Sequence, residues 1–177
     1  GVAFHLNEQR TQAKAKMDVA REKLATELAA DGYEGWSRLY NFMAGDKAVE
    51  FQGETLSLGQ LQGKFMDSPD RETRQAAFEL FEESWGELAQ TCAMALNNLA
   101  GFRLTLYKHR NWESFLKEPL QGNRLTAETL YTMWDVIDQK SGKLKEYFAA
   151  KAKLMGIDQL GWQDTWAPVG EGNREFS

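Results

Sequence analysis

Two histidines, one cysteine and a run of glutamates are the side chains of this 177-residue chain best suited to chemistry. A zinc site of the His-Glu-x-x-His kind needs two imidazoles four apart on one helix face. His5 and His109 are far apart, and neither begins that motif. A di-iron carboxylate bundle needs Glu-x-x-His on two helices, but Val2 and Leu106 stand three residues before the two histidines. A Cys92–His109 dyad fails on distance, because a continuous helix would hold the two about 25 Å apart. Cys92 falls on an apolar stripe and reads as a buried, inert thiol. Glu79, Glu82, Glu83 and Glu87 follow helical spacing, so two or three share a face. Acid–base or metal chemistry would need them to converge in a dry pocket. With Arg71 and Arg74 nearby, they read as a solvated face. Lys140, Lys143, Lys145, Lys151 and Lys153 are interrupted by Glu146 and read as a solvated helix edge. Gly170-Glu171-Gly172 lacks the rest of a nucleotide fingerprint. No catalytic, cofactor-binding or metal-ligating residue is assigned within 1–177.

The elements around these residues are helical. Phe78, Phe81, Trp85, Leu88, Cys92, Ala95, Leu99, Phe102 and Leu106 recur at steps of three and four, one stripe of a helix over Ser68–Arg110. Ser68 can cap it, Pro69 fits its first turn, and Asp70 suits the positive end of its dipole. A first helix is expected from Asn7 to Ala30, closed by Asp31-Gly32, with Met17, Ala20, Leu24 and Leu28 inward. Trp36, Leu39, Tyr40 and Met43 mark a second, closed by Gly45-Asp46. Residues 48–58 read as a β-hairpin turning at Gln52-Gly53, after which Ser57 and Gln60 form a capping box for a short helix. Asn111 can cap another around Trp112, Phe115 and Leu116, broken before Pro119.

Thr126 starts a last long helix, with Leu130, Met133, Trp134, Ile137, Leu144, Tyr147, Phe148, Lys151 and Leu154 along it, and Gly156 stops it. Gly142 weakens it by about 1 kcal/mol relative to Ala. Residues 162–169 lack helical period and read as extended. The fold class is therefore all-α: a multi-helix bundle with long helices and one small hairpin, in a single helical domain spanning 1–177.

Composition narrows the setting. Six Trp, ten Phe and five Tyr supply a heavy apolar load, and three prolines leave room for long helices. A net charge of −5 argues against a nucleic-acid or anionic-membrane surface. One cysteine permits no internal disulfide, which points to a reducing, cytoplasmic compartment. No apolar run reaches the roughly 18 residues that span a bilayer. The opening Gly1-Val2-Ala3 and the closing Asn173–Ser177 look like cut ends, so a fragment is expected.

Several short words add a resemblance. Asp70-Arg71-Glu72-Thr73-Arg74-Gln75-Ala76-Ala77-Phe78 and Ala95–Tyr107 resemble the M3 metallopeptidases, the oligoendopeptidase F group above all. So do Glu22-Lys23-Leu24, Leu28–Gly32 with Trp36 and Leu39-Tyr40, Asn123-Arg124-Leu125, Glu128–Leu130 with Met133-Trp134, Lys151–Gly156 and Trp162–Pro168. One departure is Asn111, where many relatives carry Gly; Asn tolerates positive φ better than most residues. The resemblance implies a zinc endopeptidase of short peptides, with a His-Glu-x-x-His helix and a downstream glutamate C-terminal to the part matched here. This chain would be the non-catalytic, N-terminal wall of a deep channel, with zinc bound by the parent enzyme and none by this chain. Its partners would be oligopeptide substrates through the full-length enzyme, with no nucleic acid or membrane, and exposed apolar surface would make the fragment self-associate. Tyr107 and Trp112 read as core packing rather than channel lining. The alternative is a stand-alone helical module that binds a protein or peptide in a groove between helices.

Overall fold

In the computed structural model, residues 2–170 are described. The cut-end reading of Gly1 and Asn173–Ser177, and most of Gly170-Glu171-Gly172, lie outside them. The architecture is all-α with one two-stranded antiparallel hairpin. The chain packs as two compact units: residues up to Phe42 with Gln90–Thr129, and Met43–Ala89 with the residues from Leu130 onward.

In the first unit the single helix expected over Asn7–Ala30 is two, α1 (Val2–Lys14) and α2 (Val19–Gly32). Asp18 causes the break. Its backbone is extended and its carboxylate accepts the Arg21 N–H at 3.0 Å, an N-cap that competes with helix continuation. The released backbone is satisfied by side chains: Glu22 accepts from Met17 N at 2.9 Å, and the Trp112 indole donates to Ala15 O at 2.7 Å. The buried side of α2 also differs from expectation. Glu22, Ala25 and Ala29 turn inward, whereas Leu24 and Leu28 are exposed. The helix α3 (Glu34–Asp46) half-buries Trp36, Leu39 and Met43 as its spacing requires.

In the second unit β1 (Ala48–Phe51) and β2 (Glu54–Ser57) pair with Phe51 opposite Glu54, leaving Gln52-Gly53 as the turn. Both turn residues have positive φ, 51° and 82°, the requirement that Gly meets without cost. Ser57 and Gln60 form the expected capping box on α4 (Leu58–Phe65). Val49, Leu56, Leu58, Leu61, Phe65 and Met66 then bury together against Ala77.

The long helix α5 (Arg71–His109) spans about 58 Å. No member of the Phe78–Leu106 stripe is exposed, as its period demands. Its cap is Asp70 rather than Ser68: Thr73 N donates to the Asp70 carboxylate at 2.9 Å, and Ser68 Oγ only accepts from Asp70 N. At the other end Asn111 (φ 53°) does not open a new helix but closes α5. Trp112 N bonds Tyr107 O, and Asn111 N bonds Lys108 O, the paired bonds of a Schellman ending.

The same ending recurs at Arg124 after α6 (Lys117–Gly122) and at Gly156 after α7 (Ala127–Met155). Pro119 lies inside α6, not beyond a helix end. It occupies the first turn, where its missing N–H has no intrahelical partner to lose. Thr126 caps α7 through Thr129 N at 3.0 Å, and the helix runs through Gly142 unbroken. Its apolar stripe is not buried, however: every residue from 131 to 150 is exposed. Beyond α7 the extended tail is in part a 3-10 turn, Trp162–Asp164.

Asn111→Val should cost about 1–2 kcal/mol by forcing a β-branched side chain into the left-handed region. Asn111→Gly should stay within about 0.5 kcal/mol of the parent. Urea titration of the two variants measures the difference.

Candidate functional site

The densest polar cluster is one the sequence did not announce. Arg71 and Arg74, a helical turn apart at the start of α5, both reach Asp164 in the 3-10 turn. Arg71 donates from Nε and Nη2 at 3.1 and 3.0 Å, Arg74 from Nη2 at 3.0 Å, and Gly161 N at 2.9 Å. Four donors fill the carboxylate's acceptor sites. Arg74 is also 1% exposed, and three more of its N–H groups bond Ser68 O, Pro69 O and Gln163 O. Arg74 was expected on a solvated face and is instead buried. Lys151, expected on a solvated helix edge, is buried too, donating to Thr165 O at 2.9 Å. Together these contacts strap residues 161–167 to α5 and α7. Burial raises the affinity of Asp164 for a proton, but Arg71, the Gly161 N–H and Arg74 outweigh it and lower the carboxyl to about 2.

A second cluster lies in the first unit. Glu118 accepts from Arg103 Nη2 at 2.8 Å and from the Tyr107 hydroxyl, which itself accepts from Arg103 Nε at 2.9 Å. Burial, then the hydrogen bond to Glu118, pushes the Tyr107 phenol up. Burial would also raise Glu118, but its bonds from Tyr107 and Arg103 bring it below the ordinary carboxylate range. Beside it Arg110 clasps Glu22 with bonds of 2.9 and 2.7 Å, chiefly lowering the Glu22 carboxyl. Tyr107 is buried and stacks on the half-buried Trp112 at 4.9 Å, so both pack in this unit.

These shifts decide what the clusters can do. A general acid or base works best with a pKa near the operating pH. Asp164, Glu118 and Glu22 are displaced downward and Tyr107 upward, so all four keep one protonation state across neutral pH. The three carboxylates act as fixed charges and the Tyr107 phenol as a neutral hydrogen-bonding group, and together they hold helices in place. Cys92 is half-buried in an apolar groove of about 330 Å³ with Trp36, Tyr40, Leu96 and Leu99. The helix between Cys92 and His109 is unbroken, so the dyad is excluded by distance. Glu79, Glu82, Glu83 and Glu87 are exposed, as a solvated face should be, with Glu79 bonded to Gln75 and Glu87 to Lys47. Among the described residues no three His, Cys, Asp or Glu side chains are grouped to hold a metal ion, so these residues do not fit a zinc site. No helix among them is long and apolar enough to cross a membrane.

No family model matches the chain, and no curated protein matches it by sequence. Its fold does have a counterpart in a crystal structure described as a "putative peptidase" from Chlamydophila abortus. The TM-score is 0.83 at 19% identity, over 95% of this chain and 29% of that one. At that identity the likeness shows the fold. The chain therefore spans less than a third of the structure it matches.

Asp164→Ala leaves Arg74 buried without its counter-ion and should cost about 3–5 kcal/mol. Glu87→Ala, which removes an exposed pair, should cost under about 1 kcal/mol. The depressed Asp164 carboxyl contributes stability that is present above its unfolded pKa of 3.8 and lost as pH falls through about 2. Urea midpoints measured from pH 5 down to about 2 should fall less steeply for Asp164→Ala than for the parent chain.

Proposed function

We propose that this chain is the helical, non-catalytic wall of the substrate channel in an oligoendopeptidase F-like zinc metallopeptidase that hydrolyses short peptides in the cytoplasm. The observation that carries the reading is the fold likeness, which covers nearly all of this chain yet under a third of a protein described as a peptidase. The M3-like words support it physically. Those at Asp70–Phe78 and Trp162–Pro168 meet in the Arg71–Arg74–Asp164 cluster. The word Glu22-Lys23-Leu24 supplies the carboxylate that Arg110 clasps. Asn123-Arg124-Leu125 is the positive-φ end of α6, where Arg124 pairs with Glu8. These words are structural joints, as a wall requires.

On this reading zinc and the groups that activate water belong to residues outside this chain. The chain's own part is to hold rigid helices around the peptide and limit access by large substrates. The 177-residue chain should give no turnover of an internally quenched oligopeptide in the presence of zinc. The full-length product of its gene should give turnover that a zinc chelator abolishes. Zinc-dependent turnover by the chain alone, or its absence from the full-length product, would overturn the proposal.

The isolated chain also exposes Trp134, Ile137 and Leu144 on α7 and Leu24 and Leu28 on α2. Apolar surface on this scale drives self-association. Light scattering should therefore report a mass above 20.1 kDa, and a strict monomer would count against it.

A further inference from the structure

We infer that the apolar stripe of α7 is not a channel lining but a docking face, covered in the full-length protein by an apolar surface of the same longer polypeptide. The inference rests on the reading of this chain as part of a larger peptidase. Trp134, Ile137, Leu144, Phe148 and Leu154 lie within one sector of the helix about 160° wide, and all are exposed. Between residues 130 and 154 the sector runs about 37 Å, and a helix that is apolar along so much of its length stays unsatisfied unless another surface covers it. A channel that admits varied peptides needs polar groups to meet their backbone N–H and C=O, and this stripe offers few.

Two observations identify the occupant. The matched structure is more than three times the length of the part aligned here, so a protein of that kind has chain to spare for covering α7. The flanks of the stripe then state the chemistry. By helical period Asp138 and Lys145 border one side and Lys143 the other, while Lys140 and Ser141 fall within the sector. Among the described residues none of these four charged side chains forms an ion pair. The occupant therefore presents mainly apolar side chains, with a cation opposite Asp138 and carboxylates opposite Lys140, Lys143 and Lys145. At the C-terminal end, Phe148, Ala152 and Trp162 border a groove of about 420 Å³ that accepts a bulky side chain from the occupant.

Hydrogen–deuterium exchange of the full-length gene product against the 177-residue chain, the latter diluted until light scattering reads a monomer, tests this. Amides of residues 131–150 should exchange at least about 100-fold more slowly in the full-length protein. Ile137→Asp should leave the melting temperature of the 177-residue chain, measured at the same monomeric dilution, within about 1 °C and lower that of the full-length protein by several degrees. Equal exchange in the two proteins overturns the inference. So does protection that disappears when the full-length protein is diluted to monomer, which would make a second copy the occupant. Protection without zinc-dependent turnover removes the peptidase reading and leaves the docking face standing.

Discussion

The interaction on which the second unit depends is the burial of Arg74 against Asp164. A guanidinium that is 1% exposed would be intolerable alone. Here one carboxylate and three carbonyls engage it, and the same carboxylate also takes Arg71. The cluster fastens the start of α5 to a segment ninety residues away in sequence. That link is needed because residues 156–170 have little regular structure of their own to hold them. A buried ion pair of this kind adds little net stability over an apolar substitute. Its effect is to select one placement of the strap, since any slip leaves charges buried without partners.

The first unit uses a related device. Its helices pack through small or half-exposed apolar side chains, and charge-assisted bonds set their registry. Arg110 on Glu22 ties α2 to the end of α5, and the Trp112 indole on Ala15 O ties the link between α1 and α2 to the same end. Arg103 and Tyr107 on Glu118 hold α6 to α5. In both units the carboxylates that make these joints, Asp164, Glu118 and Glu22, are held below the ordinary carboxylate range by their hydrogen bonds, which suits scaffolding.

What the sequence disclosed follows from how local the signal was. The hairpin at 48–58, the Ser57–Gln60 box, the Thr126 cap and the Gly156 stop are settled within a few residues, and each stands where its turn chemistry puts it. The stripe of α5 was legible because it persists over nine positions. The cap Asp18 was hidden inside a helical pattern, because the carboxylate that breaks the helix there is common in helices elsewhere. Asp164 stood inside the Trp162–Pro168 word, but its partners were hidden: a lone aspartate between tryptophans does not reveal two arginines about ninety residues upstream. Periodicity on α7 marked an apolar face correctly but could not say whether this chain or another part of the protein covers it.

Metal content is the most direct measure of whether these helices are scaffold or active centre. After exhaustive dialysis, elemental analysis should find about one tightly held zinc per full-length chain and essentially none on the 177-residue chain. Stoichiometric zinc that survives dialysis on the 177-residue chain would contradict the assignment of the catalytic centre to other residues.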